Sequence, residues 1–179
     1  MVELKDATLT VDGRTVFSNL SFVAPEGQLT CISGGTTKDR TLLARALMGF
    51  VPLSSGFITV DGELLTPYSV KTFRRLMAYW PNEASLQRQP VSFQPSLEGL
   101  EEVWSPAIAL TPEEPTMPKE SANQAVTTVA EGKQIVVADN PAPLLLSELS
   151  RLASEGRVVI VISNDEHFAA AGKNVNIEY

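Results

Sequence analysis

Two uninterrupted apolar runs rich in β-branched residues constrain the fold of this chain more than any other feature. One follows Gln134 within a predicted strand at 134–138, and the other precedes Ser163 within a predicted strand at 158–163. Runs that lack alternation between polar and apolar residues predict strands at the centre of a parallel sheet, where helices cover both faces. A third run, Leu29–Ser33, leads into Gly34-Gly35 and then into a helical pattern over residues 39–48. The chain therefore predicts an α/β fold with a parallel central sheet.

The remaining pattern divides the chain into two regular parts and a proline-rich middle. Short strands are expected at residues 2–4, 8–11, 19–23, 57–60 and 76–80, with a hairpin turn at Asp12-Gly13 and a helix near 68–75 that turns Phe73 inward. The last third predicts helices at 144–153 and 166–171 and a final strand at 174–179. Between residues 82 and 132, prolines break any long element, and we expect loops with one short helix near 121–130.

Charge and composition exclude several classes of partner. The 179 residues carry a net charge of −7 with only 14 basic side chains, which disfavours binding to nucleic acid or to an anionic membrane surface. No apolar run approaches the ~20 residues that span a bilayer, and the start has no signal-peptide pattern. Cys31 is the single cysteine, so an internal disulfide is excluded. We expect a cytoplasmic protein without direct membrane insertion.

Several segments carry a resemblance to a known family. The runs LSFVAPEGQLTCISGG, RTLLARALMGF and VPLSSGFITVDGELL, followed by QIVVADNP and GRVVIVISND, occur in the order typical of ABC transporter ATP-binding domains. The chain resembles that family over residues 1–82 and 132–179. The resemblance implies a P-loop NTPase-like core, in which a parallel sheet is flanked by helices, together with an N-terminal antiparallel β subdomain. One domain, 1–179, would comprise the β subdomain and loop region (1–83), a reduced helical subdomain (84–131) and a last part (132–179).

The loop after Leu29–Ser33 departs from the phosphate-binding pattern G-x-x-x-x-G-K-[ST] of that family. That pattern needs glycines for converging N–H groups, a lysine for the phosphates and a hydroxyl for Mg²⁺. An ungapped match to residues 33–41 places Lys38 at the last glycine, Asp39 at the lysine and Arg40 at the hydroxyl. A carboxylate there repels a triphosphate. Asp39 instead suits the first turn of a helix that Thr36 or Thr37 caps.

A slip of one residue is the alternative, with Lys38 as the phosphate lysine and Thr41 or Arg40 nearby. Weak anion binding by the loop N–H groups also stays open. If a nucleotide binds, the resemblance assigns its site to Gly34, Gly35, Thr36, Thr37, Lys38, Asp39, Arg40, Thr41, Asn82 and Asp139. Asp139 would then hold Mg²⁺ through water.

The other family positions are also altered. Asp139 ends its strand as expected, but Asn140 stands at the catalytic glutamate, and a neutral amide cannot act as a base. Asn164 stands at the switch histidine and Asn82 at the Q-loop glutamine, while His167 is expected on the surface. The signature motif is not recognisable near residues 115–119, and residues 9–13 lack the aromatic that stacks on adenine.

Together these residues predict a degenerate ABC-type ATPase domain that does not hydrolyse ATP and binds it weakly or not at all. Its role would be protein interaction or regulation beside an ABC ATPase, a transporter subunit or a second copy, at the inner membrane only through such a partner. A divergent ATP-binding subunit that uses Lys38 and Asp139, with ATP and Mg²⁺, is the first alternative. An unrelated α/β binding module is the second.

Overall fold

Two sheets form the framework of the protein. The structure is a computed structural model that describes residues 1–82 and 119–177. An antiparallel sheet has the strand order β2-β1-β4-β5, and a parallel sheet has the order β6-β7-β8-β3-β9. The strands are β1 Val2–Val11, β2 Arg14–Ala24, β3 Leu29–Ser33, β4 Ser55–Val60, β5 Glu63–Leu64, β6 Met77–Trp80, β7 Ile135–Asp139, β8 Val158–Ile162 and β9 Lys173–Asn176. The helices are α1 Thr37–Leu47, α2 Val70–Leu76, α3 Lys119–Ala130, α4 Leu146–Ser154 and α5 Glu166–Ala171.

The parallel sheet is covered on both faces, as the apolar runs predict. Every residue of β7 and β8 is buried. Alternate residues point into different cores: Val137 and Ile160 pack with the antiparallel sheet and α1, whereas Val136 and Val161 pack against the helices on the other face. Because a strand directs successive side chains to opposite faces, only an unbroken apolar run satisfies both cores. The α/β prediction is confirmed.

The antiparallel sheet differs from its prediction most in its first strand; β2 also begins at Arg14 rather than at residue 19, and β5 was not predicted. The two strands expected at 2–4 and 8–11 form the single strand β1. The strand continues through the polar residue Asp6, which has a left-handed backbone conformation (φ 47°) and lies where the register with β2 shifts. Gly56 lies opposite, where a Cβ would collide with the carbonyl oxygens of Lys5 and Asp6. The hairpin at Asp12-Gly13 is confirmed, with positive φ at both residues, as a type I′ turn requires.

Three helical predictions are confirmed with shifted ends. Helix α1 begins at Thr37, two residues before the predicted start, because Thr36 and Asp39 form a capping box. The helix predicted near 121–130 is α3, and the segment predicted at 144–153 is a 3₁₀ turn, Pro143–Leu145, followed by α4. Phe73 of α2 is buried as expected. The loops predicted over 83–118 and the end of the strand predicted at 174–179 lie outside the described residues.

None of the helices in the two described ranges has both the length and the apolarity required to cross a bilayer.

An arginine of α2 closes the carboxyl end of α1. Arg74 Nε donates to the carbonyl oxygen of Met48 at 2.9 Å, and Nη2 donates to that of Gly49 at 2.8 Å. The guanidinium carbon lies 3.9 Å from the centre of the Phe50 ring. Carbonyl groups at a helix end lack partners within the helix, so Arg74 satisfies two acceptors and places a cation at the negative end of the dipole.

Arg74→Ala is therefore expected to lower the free energy of unfolding by about 1–2 kcal/mol, measured by urea denaturation. The matched control is Arg75→Ala, whose exposed side chain lies one position along the same helix. Its effect should stay within about 0.5 kcal/mol. Equal effects of the two substitutions would show that Arg74 does not act through the end of α1.

Candidate functional site at the loop after β3

The altered family positions meet at one edge of the parallel sheet. Strands β6, β7, β8 and β3 are consecutive neighbours and run in the same direction. Gly34 follows β3, Asn164 follows β8, Asn140 follows β7 and Asn82 follows β6. Because the carboxyl ends of parallel strands lie at one edge, the fold brings these positions together where α/β proteins bind ligands.

The loop that begins at Gly34 lies against the last strand of the sheet. Gly34 and Gly35 both have positive φ, 97° and 60°. A Cβ at Gly34 would lie 2.6 Å from Asn176 Oδ1 and 2.9 Å from the Ile177 carbonyl oxygen, which is closer than packed atoms approach. The glycine at this position is therefore required by the neighbouring chain and by its own φ, without any ligand.

Asp39 is fully buried in the first turn of α1. Its Oδ2 accepts hydrogen bonds from Thr36 Oγ1 at 2.6 Å and from the Thr36 N–H at 3.0 Å, while its own N–H donates to Thr36 Oγ1 at 3.3 Å. Its other oxygen pairs with the guanidinium of Arg14 from β2. Burial by itself raises the pKa of this carboxyl, but the hydrogen bonds from Arg14 and Thr36 outweigh burial and lower the pKa to about 2. Asp39 is therefore a carboxylate at neutral pH.

Arg40 folds back from α1 onto the loop. Its Nη1 donates to the carbonyl oxygens of Gly34 at 3.2 Å and Gly35 at 2.9 Å, and its Nη2 donates to Thr37 Oγ1 at 3.2 Å. Only 5% of the residue is exposed. The guanidinium thus clamps the backbone of the loop and one side chain of the first helical turn. Unlike the buried side chain of Arg40, that of Lys38 is exposed to solvent.

A buried carboxylate lies beneath α1 at the end of β7. Oδ2 of Asp139 accepts hydrogen bonds from Thr41 Oγ1 at 2.7 Å and from Tyr79 Oη at 3.2 Å. Burial raises the pKa of Asp139, against the hydrogen bonds of Thr41 and Tyr79, and the charge of Arg40 also opposes this rise. Burial, together with the nearby charge of Asp139, raises the pKa of Tyr79 to about 12. Among the described residues, Oδ1 of Asp139 has no hydrogen-bond donor.

The two asparagines that the resemblance assigns to catalytic positions have local roles in the structure. Oδ1 of Asn164 accepts the N–H of Gly34 at 2.7 Å. Asn140 adopts a left-handed conformation (φ 47°), which asparagine tolerates better than most residues, and its N–H donates to the Ile162 carbonyl oxygen at 2.9 Å. Both residues therefore hold the sheet edge in shape.

The remaining site predictions occupy separate places. His167 lies exposed in the first turn of α5, with Nδ1 2.8 Å from Asp165 Oδ1, as expected for a surface residue. Asn82 follows β6 and is only 4% exposed. The segment 115–118 of the predicted signature position lies outside the described residues. Arg14 and Tyr79 were not predicted. The available sequence signals were the Asp12-Gly13 turn directly before Arg14 and the place of Tyr79 near the end of the predicted strand 76–80.

Comparison with known proteins supports a family relationship, although no family model matches the chain. The Fe(3+) ions import ATP-binding protein FbpC 2 of Pectobacterium atrosepticum is 31% identical over 88 residues, covering 48% of this chain and 25% of that protein. The zinc import ATP-binding protein ZnuC 1 of Hahella chejuensis is 34% identical over 73 residues, covering 41% of this chain and 29% of that protein. The matched part thus spans about a quarter of the length of these curated relatives.

Solved structures extend the likeness to the whole fold. The ATP-binding cassette MJ0796, in a dimeric post-hydrolysis state bound to ADP and Pi, superposes with a TM-score of 0.70 at 16% identity, covering 99% of this chain and 94% of that chain. A second dimeric structure of MJ0796 gives a TM-score of 0.67. The chain is related to the ATP-binding domains of ABC transporters. The alternative of an unrelated α/β module is therefore wrong.

The residues of this ABC-type domain, in the observed arrangement, do not fit a bound Mg-triphosphate. The Gly34 N–H is taken by Asn164 and the Thr36 N–H by Asp39, so two donors of the loop are satisfied within the protein. The guanidinium of Arg40 is directed at loop carbonyl groups. A phosphate would have to displace these contacts and approach the buried carboxylate of Asp39, which costs free energy rather than releasing it.

Proposed function

We propose that this chain is an ABC-type domain that does not hydrolyse ATP, binds it weakly or not at all, and acts through protein association. The observation that carries the proposal is the buried carboxylate of Asp39, because it stands where the family pattern has its phosphate-binding lysine. Its lowered pKa means that the negative charge persists throughout the physiological pH range. Phosphoryl transfer depends on cations placed against the phosphates, and here a fixed anion has replaced one of them.

The replacement of the catalytic glutamate also supports the absence of hydrolysis. General base assistance is worth about 10²–10⁴-fold in rate, and the amide of Asn140 cannot supply it. The left-handed backbone of Asn140 gives the residue a conformational reason to be asparagine. Asn164, at the switch position, is engaged with Gly34. These positions keep the shape of the sheet edge and lack the groups that activate water.

The partner belongs to the same proposal. FbpC 2 and ZnuC 1 are named as ATP-binding proteins for import, and MJ0796 has dimeric structures. We therefore propose a protein partner of this class for the present chain: an ABC ATPase, a transporter subunit or a second copy, which would bring it to the cytoplasmic side of a membrane. Residues 84–131 would act as a reduced replacement of the helical subdomain. Light scattering of the purified protein, with and without Mg-ATP, tests whether a second copy is the partner.

Mg-ATP is expected to leave the thermal unfolding of the purified protein unchanged at millimolar concentration. A ligand present at 100 times its Kd stabilises the folded state by about 2.7 kcal/mol, which for a chain of this size moves Tm by roughly 5–10 °C. Differential scanning calorimetry resolves such a shift easily. A Mg²⁺-dependent rise of Tm would contradict the proposal.

The alternative, a divergent ATP-binding subunit, is supported by the exposure of Lys38 and by the Thr41–Asp139 hydrogen bond. Under this alternative a rise of Tm with Mg-ATP disappears in Lys38→Ala and survives in Asp39→Ala. The pair of variants is matched, because the two residues are adjacent in the first turn of α1. If the rise of Tm with Mg-ATP is lost in Asp39→Ala but kept in Lys38→Ala, both proposed functions are excluded as stated.

A further inference from the structure

We infer that Arg40, Asp39 and Asn164 act as a built-in substitute for a ligand and hold the loop of residues 34–36 closed in the nucleotide-free protein. Each of the three side chains makes a contact with the loop backbone: Asp39 and Arg40 from successive positions of α1, and Asn164 from the segment after β8. The inference concerns the ligand-free loop and holds whether or not a nucleotide binds.

The guanidinium of Arg40 provides the centre of this arrangement. It is almost completely buried, and such a group requires acceptors to offset the cost of its desolvation. It finds them in the carbonyl oxygens of Gly34 and Gly35 and the hydroxyl of Thr37. Nη1 bridges the two carbonyl oxygens while Nη2 reaches Thr37, and Nε has no hydrogen-bond partner among the described residues. The loop carbonyls are therefore fixed toward the helix.

The N–H groups of the loop are held by the two other side chains. Asn164 accepts from Gly34, and Asp39 accepts from Thr36. Arg14 then ties the same carboxylate to β2, so the antiparallel sheet is joined to the loop of the parallel sheet. Side chains thus satisfy the carbonyl groups of Gly34 and Gly35 and the N–H groups of Gly34 and Thr36, which gives the loop a defined shape.

Positive charge near Asp139 is part of the same arrangement. The carboxylate at the end of β7 lies close enough to Arg40 for the guanidinium to act on its charge. Arg45, which also lies on α1, acts on the same carboxylate, so two cations of one helix contribute. Burial still raises the pKa of Asp139, so the two cations offset only part of the cost of burying this carboxylate.

Hydrogen exchange measured by NMR on the full, nucleotide-free chain tests the inference. The amides of Gly34 and Thr36 are expected to be protected. Arg40→Met should speed their exchange at least about tenfold, because opening of the loop then no longer requires the hydrogen bonds of Arg40 to break. Arg45→Met is the matched control: it lies in the same helix, is exposed, and should leave both amides unchanged. Exchange in the wild type at the rate of an unstructured chain would overturn the inference.

A second variant keeps the test decisive if Arg40→Met does not fold. Asn164 is exposed, so Asn164→Ala removes an acceptor without opening the core. In this variant the hydrogen-exchange rate of the Gly34 amide should rise, while that of the Thr36 amide, whose acceptor is Asp39, should stay unchanged. Unchanged exchange at Gly34 would overturn the role of Asn164. Nucleotide calorimetry, which tests the proposed function, is independent of both results.

Discussion

Replacement of Asp39 by lysine, the residue of the family pattern, is expected to lower the free energy of unfolding by about 3–5 kcal/mol. The new ammonium group would be buried opposite the guanidinium of Arg14, in place of the carboxylate that now pairs with it. The capping box with Thr36 would be lost at the same time. Folded domains have only about 5–15 kcal/mol of stability in total, so this single substitution removes a large share of it.

Urea denaturation followed by circular dichroism measures the loss. Lys38→Ala is the matched control, because the adjacent side chain is exposed and its removal should cost less than about 0.5 kcal/mol. The loss of free energy of unfolding in Asp39→Asn should lie between the losses in Asp39→Lys and Lys38→Ala. The amide keeps one oxygen for the Thr36 donors but lacks the charge that pairs with Arg14. A folded, fully stable Asp39→Lys variant would contradict the structural role of this carboxylate.

The pH dependence of the same variants gives a second measure of this prediction. The pKa of Asp39 is about 2 in the folded protein, below the roughly 3.9 of an unfolded chain. A lowered folded pKa stabilises the fold above the unfolded pKa, and this contribution is lost as the pH falls through the folded pKa. The stability difference between wild type and Asp39→Asn should therefore be constant at pH 5–7 and shrink between about pH 4 and pH 2. A difference independent of pH would exclude the paired carboxylate.

The sheet could be predicted from the sequence because its signal is local. The strands β7 and β8 are buried from end to end, and their runs of four and five consecutive β-branched or small apolar residues suit a strand covered on both faces. Element boundaries were less accessible. The start of α1 depends on which hydroxyl caps it: the sequence offers both Thr36 and Thr37, and in the structure Thr36 is the cap.

The site was only partly predictable, since its main contacts join distant parts of the chain. The role of Asp39 in the first turn of a helix follows from local rules, but its partner Arg14 is 25 residues away. Arg40 was placed at a family position by alignment alone, and the alignment could not indicate that the side chain turns back onto Gly34 and Gly35. Side-chain direction depends on packing and burial, which a single sequence does not specify.

The second large effect is expected from restoring the family pattern in the loop. The variant Arg14→Ala, Lys38→Gly, Asp39→Lys, Arg40→Ser places a glycine, a lysine and a hydroxyl at the positions where the family has them. It also removes the guanidinium that would face the new lysine. Asp39→Lys also removes the acceptor of the Thr36 N–H, so this donor can turn toward a phosphate, while Asn164 still accepts from Gly34. We expect Mg-ATP to bind with a Kd below about 1 mM, which corresponds to roughly −4.1 kcal/mol.

Calorimetric titration of the restored variant measures this gain against a matched control. The control carries the same substitutions except Asp39→Gln, so it lacks both the carboxylate and the cation at that position, and it should bind at least about tenfold more weakly. Hydrolysis should remain absent in both variants, because Asn140 and Asn164 are unchanged. If the restored variant folds, as judged by circular dichroism, and still fails to bind, the charge at residue 39 is not what excludes the nucleotide. Equal binding by variant and control would assign any gain to the released backbone rather than to the lysine.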